Sequence, residues 1–315
     1  MESKVKIAVC SRSFSRNLIL RQELLSRYKT VTFNDSGEQL EGRRLVRFLK
    51  NHDKAITALE TIDESILSQL PQLKAIGKYG VGLDMIDMKA MHKYGVRLGW
   101  VAGVNRRSVS ELALSLMINM LRHVDVANSE VEAGIWRQIM GKQLSGRTVG
   151  IIGCGHVGKD LTKLLRPFGC EILVTDIVDY PLFFKKHDIQ RVTLPELMTR
   201  SDVVSIHVPL NINTRGILDL KMLSLMKRSA ILINIARGGL VDEVALKNML
   251  IDHRLSGAAF DVFDSEPPKD SELLSLPNFL ATPHIGGSSE EAVLAMGRSA
   301  INGLEHNSVP QVDTK

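Results

Sequence analysis

The sequence predicts an α/β fold with parallel sheets shared between two domains, and three observations predict it. Short apolar runs recur along the chain, separated by stretches with helical periodicity, as expected for buried parallel strands alternating with covering helices. At 315 residues, with 44% from the apolar set, the chain is long enough for two modest domains that each bury a core. Between two series of such alternations lies a polar stretch, residues 123–146, which reads as a connecting arm.

In chain order, strands are expected at the apolar runs 5–9, 54–59, 73–76, 149–152, 171–175, 203–207, 230–234 and 257–260, and a helix at 16–27. Residues 108–122 open on Ser108-x-x-Glu111, the pattern of a capping box, and stay apolar around nearly the whole helix. A buried helix is therefore expected there, with Met117 and Met120 as core packing. The polar arm after it carries Trp136 and is a candidate contact with a second copy of the chain. A new domain is expected to begin at the apolar strand that starts at Thr148. No internal repeat or low-complexity tract is visible.

Charge and cysteine content narrow the function classes. Forty Lys and Arg against 35 Asp and Glu leave a net charge of +5 without a long run of like charge, so no nucleic-acid partner is expected. The pairs Arg43-Arg44, Arg106-Arg107 and Lys185-Lys186 read as solvated faces, while the mild positive balance suits an anionic substrate. Cys10, Cys154 and Cys170 match neither a disulfide framework nor a zinc site, so free thiols in a reducing compartment and no metal centre are expected. Residues 1–10 form a charged start with one apolar run too short for a signal peptide. No stretch of about 18 apolar residues occurs, so a cytoplasmic protein with no membrane partner is expected.

The strand at Thr148-Val149-Gly150-Ile151-Ile152 runs into Gly153-Cys154-Gly155-His156-Val157-Gly158, a GxGxxG turn that opens a helical stretch. The first glycine permits the tight turn, the second lets backbone approach a pyrophosphate, and the third permits close helix-to-strand packing. GxGxxG alone is a weak signal. Here a second strand ends in Asp176, at the spacing where a carboxylate holds the ribose hydroxyls. Asp176 would repel the extra phosphate of NADP, and Ile177-Val178-Asp179 supplies no cation to receive it, so NAD is the expected cofactor. The bland alternative is a Rossmann-type domain for another adenine nucleotide or for S-adenosylmethionine.

Three residues downstream suit hydride exchange with a keto acid, which needs a cation on the substrate, a proton donor and a partner for that donor. Arg237 follows the apolar strand 230–234, at a strand end where open α/β sheets bind ligands, and a guanidinium there can fork onto a carboxylate. Glu266 follows strand 257–260 and precedes Pro267-Pro268, which hold the backbone after it. His284 lies between Pro283 and Ile285-Gly286-Gly287. Taken singly, the first reads equally as a surface arginine in a turn and the last as a structural histidine.

Taken in order, the GxGxxG turn, Asn234-x-x-Arg237-Gly238, Asp261-Val262-Phe263-x-x-Glu266-Pro267 and Pro283-His284-Ile285-Gly286-Gly287 resemble the D-isomer-specific 2-hydroxyacid dehydrogenase family. That group includes phosphoglycerate, glycerate, hydroxypyruvate, glyoxylate and D-lactate dehydrogenases, and the resemblance covers nearly the whole chain. It implies a Rossmann-type doubly wound parallel sheet plus a second, flavodoxin-like α/β substrate domain. The substrate domain would be residues 1–102 and 285–315, and the NAD-binding domain residues 103–284, with closure around a small anionic 2-keto or 2-hydroxy acid.

By the same resemblance, Arg237, Glu266 and His284 are catalytic. His284 exchanges the proton, Glu266 hydrogen-bonds its ring and favours the protonated form, and Arg237 grips the substrate. The cofactor would be met by Gly153, Gly155, His156, Val157, Gly158 and Asp176, and by Val208 and Pro209 on the adenine side. Ile235, Ala236, Arg237, Asp261, His284, Gly286 and Gly287 would surround the nicotinamide end. The glycine-rich run Lys78-Tyr79-Gly80-Val81-Gly82 resembles the family's substrate loop, whose amides receive the carboxylate. A homodimer through the NAD-binding domain is expected.

Met85, Trp100 and Ala102 depart from the family pattern on the substrate side, and residues 57–60 lack the arginine that holds a substrate phosphate. Lys78 and Arg106-Arg107 are then candidates to reach a second anionic group. The chain ends about 30 residues after His284, so no appended serine-sensing domain is expected. Two readings stay open beside the dehydrogenase: an NAD-sensing, corepressor-like binding protein and a phosphite-type dehydrogenase.

Overall fold

The computed structural model describes residues 5–311, and the statements below concern those residues. Residues 1–4 of the charged start and 312–315 of the C-terminal segment lie outside them. The chain forms two compact units that divide at Asn105/Arg106 and again at Ser288/Ser289. Those divisions fall three and four residues beyond the expected boundaries. The physical reason at the second is Asp261, whose carboxylate binds the Ile285 and Gly286 amides and keeps that loop with the larger unit.

The smaller unit is built on a five-stranded parallel sheet, β1 (Lys6–Val9), β2 (Thr30–Phe33), β3 (Lys54–Thr57), β4 (Ala75–Lys78) and β5 (Arg97–Gly99), in the order β2-β1-β3-β4-β5. Alternate residues of β1 serve opposite faces. Ile7 and Val9 pack with Phe14, Leu20 and Ile301, while Ala8 joins Leu45, Leu67 and Ile76. The C-terminal helix Glu290–Gly303 covers β4 and β5 at main-chain distance. A Cβ on Gly99 would fall 2.1 Å from the Gly303 carbonyl oxygen, so glycine is required at that contact.

In the larger unit, seven parallel strands follow: β6 (Thr148–Ile152), β7 (Glu171–Thr175), β8 (Ile189–Arg191), β9 (Val203–Ile206), β10 (Ile231–Asn234), β11 (Gly257–Phe260) and β12 (Phe279–Ala281). They lie in the order β12-β11-β10-β9-β6-β7-β8. This is a doubly wound Rossmann-type sheet, as the sequence predicts. Strands β9, β10 and β11 are buried along their whole length, which is why they read as continuous apolar runs.

Several local expectations change. The helix expected at 108–122 spans Arg106–Arg122, so Ser108 sits inside its first turn and makes no capping box. Its hydroxyl instead donates to the Gly286 carbonyl at 2.7 Å. This helix buries one face rather than its whole circumference, and Met117 and Met120 pack with Val149, Ile151 and Ile233 in the sheet core. Part of the polar arm is a helix, Val124–Glu132, with no buried residue. The helix at 16–27 is two, Arg12–Arg16 and Leu18–Leu25, divided at Asn17, whose side chain caps the second.

Candidate active site

In the larger unit, β6 is followed by β7 on one side while the chain returns through β9 on the other, so the winding reverses between β6 and β9. Open α/β sheets bind ligands at the carboxyl ends of strands where this reversal occurs. Gly153 follows β6, Asp176 follows β7, Val208 and Pro209 follow β9, Arg237 follows β10, and Asp261 follows β11. His284 comes three residues after β12. Parallel register places all of these at one edge of the sheet.

Two of the three motif glycines are required by the fold itself. Gly153 has φ +96°, and a Cβ there would lie 2.8 Å from the His207 carbonyl oxygen. A Cβ on Gly158 would fall 2.1 Å from the Gly153 carbonyl oxygen. Around Gly155, by contrast, nothing lies within 4 Å, so the fold itself does not demand a glycine and the cleared space suits a ligand approaching the main chain. The helix His156–Leu165 starts there without a capping side chain, leaving its first amides open to an anion. Beside it, Arg106, His156, Lys159 and Lys163 line a cavity of about 320 Å³ together with Asp160. These groups fit a dinucleotide pyrophosphate.

Asp176 accepts from the Cys154 amide at 2.5 Å through Oδ2 and from the Val178 amide at 2.8 Å through Oδ1. Each oxygen keeps acceptor capacity for a sugar hydroxyl. Arg191, on the edge strand β8, reaches the Asp176 carbonyl at 3.1 Å and pairs with Asp179 at 3.4 Å. Sequence reading missed this cation because it lies 15 residues away along the chain.

The residues expected to be catalytic are held by main-chain contacts. Asn234, buried at the end of β10, accepts from the Ala236 amide and donates to the Arg237 carbonyl, closing the turn that carries Arg237. The guanidinium donates to the Ala236 carbonyl at 2.6 Å. Gly238 then lets this turn abut the β11 loop, because a Cβ there would lie 1.9 Å from the Phe263 carbonyl oxygen. In that loop Glu266 accepts the Phe263 amide through Oε1 at 3.2 Å, and its Oε2 lies 2.8 Å from Nδ1 of His284. The structure thus brings Glu266 and His284 into direct contact.

Sequence reading did not reveal what fixes the histidine loop. Oδ1 of the buried Asp261 accepts from Thr282 Oγ1 at 2.6 Å and the Ile285 amide at 2.7 Å, and Oδ2 accepts the Gly286 amide at 2.8 Å. A Cβ on Gly286 would sit 3.1 Å from Oδ2, and His284 itself holds φ +55°. A non-glycine residue in that region is strained and persists where its surroundings over-determine it. Asp261 is a positioning residue for His284. An acid and a Thr-Pro-His run at adjacent strand ends were the available signal.

Within the smaller unit, Gly80 follows β4 with φ +116°. Among the described residues, the Gly80, Val81 and Gly82 amides donate to no protein acceptor. Successive free amides in such a turn make an anion nest. Lys78 is buried, and its ammonium donates to the Ala58 carbonyl at 2.6 Å and the Tyr79 carbonyl at 3.3 Å. Trp100 donates its indole N–H to the Val81 carbonyl at 3.0 Å. In the larger unit, Arg107 pairs with Asp160 at 3.1 Å.

Comparison with known proteins bears on this geometry. The family model for the D-isomer specific 2-hydroxyacid dehydrogenase NAD binding domain matches residues 114–286, more than half of the chain. The chain is 36% identical over 262 residues to D-3-phosphoglycerate dehydrogenase of Methanocaldococcus jannaschii, covering 82% of this chain and 50% of that protein. It is 35% identical over 272 residues to hydroxypyruvate reductase of Thermotoga maritima, covering 83% and 87%. The chain therefore spans about half the length of the first relative. A solved glyoxylate reductase from Paecilomyes thermophila superposes with a TM-score of 0.84 at 26% identity, covering 96% of this chain and 95% of that one.

Proposed function

The chain belongs to the D-isomer specific 2-hydroxyacid dehydrogenases, and from that premise we propose that it interconverts a small 2-keto acid and its D-2-hydroxy acid, with NAD as cofactor. The observation that carries the reading is the 2.8 Å contact between Glu266 Oε2 and His284 Nδ1. It fixes the ring and leaves Nε2 as the nitrogen that exchanges a proton with the substrate oxygen. Bound NAD would supply the hydride acceptor, and NADH the donor. Gly155, the first amides of the helix from His156 and the Asp176 carboxylate would hold the cofactor. Val208 and Pro209 would lie on its adenine side, and Ile235, Ala236, Gly286 and Gly287 near its nicotinamide.

Arg237 is the proposed grip on the substrate, a planar fork suited to the carboxylate and carbonyl oxygens of a 2-keto acid. In the smaller unit, the proposed substrate-binding domain, the free amides of 80–82 are the proposed receiver of a carboxylate. In the NAD-binding unit, exposed Ile135, Trp136 and Met140 support a homodimer formed through this region. Three buried free thiols suit a reducing compartment, and we place the protein in the cytoplasm.

The test is NADH consumption with glyoxylate, hydroxypyruvate, pyruvate and longer 2-keto acids, with phosphite offered in the NAD direction. Turnover of at least one 2-keto acid is expected. No turnover with any of them, alongside intact NADH binding, would favour the sensor reading, and turnover of phosphite alone the phosphite one.

A further inference from the structure

We infer that Lys78 and Glu60 form a charge-compensated pair beside the 80–82 nest, restricting the site to 2-keto and 2-hydroxy acids that carry a single negative charge. The inference rests on the proposed dehydrogenase reading and names its substrate class. Its starting point is Ala58, in the turn after β3. The Ala58 carbonyl accepts the Lys78 ammonium at 2.6 Å, and the Ala58 amide donates to Glu60 Oε2 at 2.6 Å. One residue thus joins a buried ammonium to a half-buried carboxylate.

The pair stands next to the nest. A Cβ built on Gly80 would lie 3.3 Å from the Lys78 ammonium nitrogen, so this charge sits against the first amide-bearing residue of the loop. A lysine so placed, if uncompensated, would favour a second anionic group on the substrate. Its ammonium is instead bound to two carbonyls, one of them on Ala58, whose amide in turn holds the Glu60 carboxylate, so the two opposite charges act on each other across that residue. The other cation acting on Glu60 is Arg12, exposed after β1 and screened by solvent.

Burial pushes the Glu60 carboxyl above the usual range, opposed by the Ala58 amide, its own amide, Lys78 and Arg12. A carboxylate kept in such a place needs the neighbouring cation, and in turn neutralises it. A dianionic acid entering the nest would bring its distal charge toward Glu60, with the Lys78 charge already offset and the exposed Arg12 screened by solvent.

The experiment measures NADH-fluorescence titrations of dead-end complexes with D-lactate, a monoanion, and D-malate, a dianion, in wild type, Glu60→Gln, Glu60→Asp and Glu60→Gln/Lys78→Met. Glutamine keeps the acceptor for the Ala58 amide and removes the charge. Wild type is expected to prefer D-lactate. Glu60→Gln is expected to shift the ratio toward D-malate by roughly tenfold or more, as unmasking a nearby partly buried cation should. Glu60→Asp is expected to stay near wild type, and the double variant to lose the shift.

A ratio within twofold of wild type in folded Glu60→Gln overturns the inference. So does a wild-type preference for D-malate, or failure of wild type to bind either acid. If Glu60→Gln does not fold, Lys78→Met carries the test: without the ammonium the Glu60 charge stands uncompensated, so D-malate binding should fall relative to D-lactate, and an unchanged ratio in that variant would overturn the inference. Lactate-selective binding without turnover of any 2-keto acid would overturn the reaction assignment alone, so the two failures are distinguishable.

Discussion

At the scale of single residues, the site is arranged through carbonyls and amides as much as through the side chains proposed to react. Asp261 makes three hydrogen bonds to the segment that carries His284, and Asn234 closes the turn that carries Arg237. Trp100 acts the same way on the nest. A trans peptide plane points its C=O and N–H in opposite directions, so drawing the Val81 carbonyl to the indole turns the Gly82 N–H away from Trp100. Trp100→Phe keeps an aromatic ring and removes the donor. Steady-state kinetics should show KM for the keto acid raised by about 2- to 10-fold with kcat little changed, the size of one neutral hydrogen bond. An unchanged KM would mean that the nest holds its shape without the indole.

Among the elements, the strands legible in the sequence were those buried on both faces. β9, β10 and β11 are continuous apolar runs and were read within one residue of their observed ends. β2, β5 and β8 were not recognised, and each is an edge strand, three or four residues long and partly exposed. An edge strand covers one face and so lacks the apolar run. The omission of β8 also hid Arg191 from the cofactor reading. Asp176→Ala should reduce the preference for NAD over NADP, measured as the ratio of kcat/KM values, by about tenfold or more. Adding Asp179→Ala should reduce it further, because Arg191 loses its ion-pair partner. An unchanged ratio in both variants would place ribose recognition elsewhere.

For the molecule as a whole, the order of motifs disclosed the Rossmann-type sheet and the neighbourhood of Glu266 and His284. The hydrogen bonds that fix them depend on which strands lie side by side, a property of topology that local sequence does not carry. The same holds for His207, which follows β9 beside Gly153. Burial holds its pKa down to about 3, with Ser205 Oγ 2.9 Å from Nε2. Between about 6.5 and 3 the folded protein therefore binds fewer protons there than the unfolded chain, and stability falls as pH falls through that window. This group adds a slope of up to about 1.4 kcal/mol per pH unit. Denaturant unfolding from pH 7 to 4 should show that slope reduced in His207→Gln, and an equal slope would mean that the unfolded and folded rings titrate alike.

The central claim is that His284, held by Glu266, exchanges the proton of a 2-keto acid reaction, and it is tested most directly by His284→Ala. The measurement pairs turnover of the best 2-keto acid with the dissociation constant of NADH in the same preparation. The account predicts turnover lowered by roughly 100- to 10,000-fold, with NADH bound nearly as in wild type. Turnover within a few-fold of wild type would contradict it.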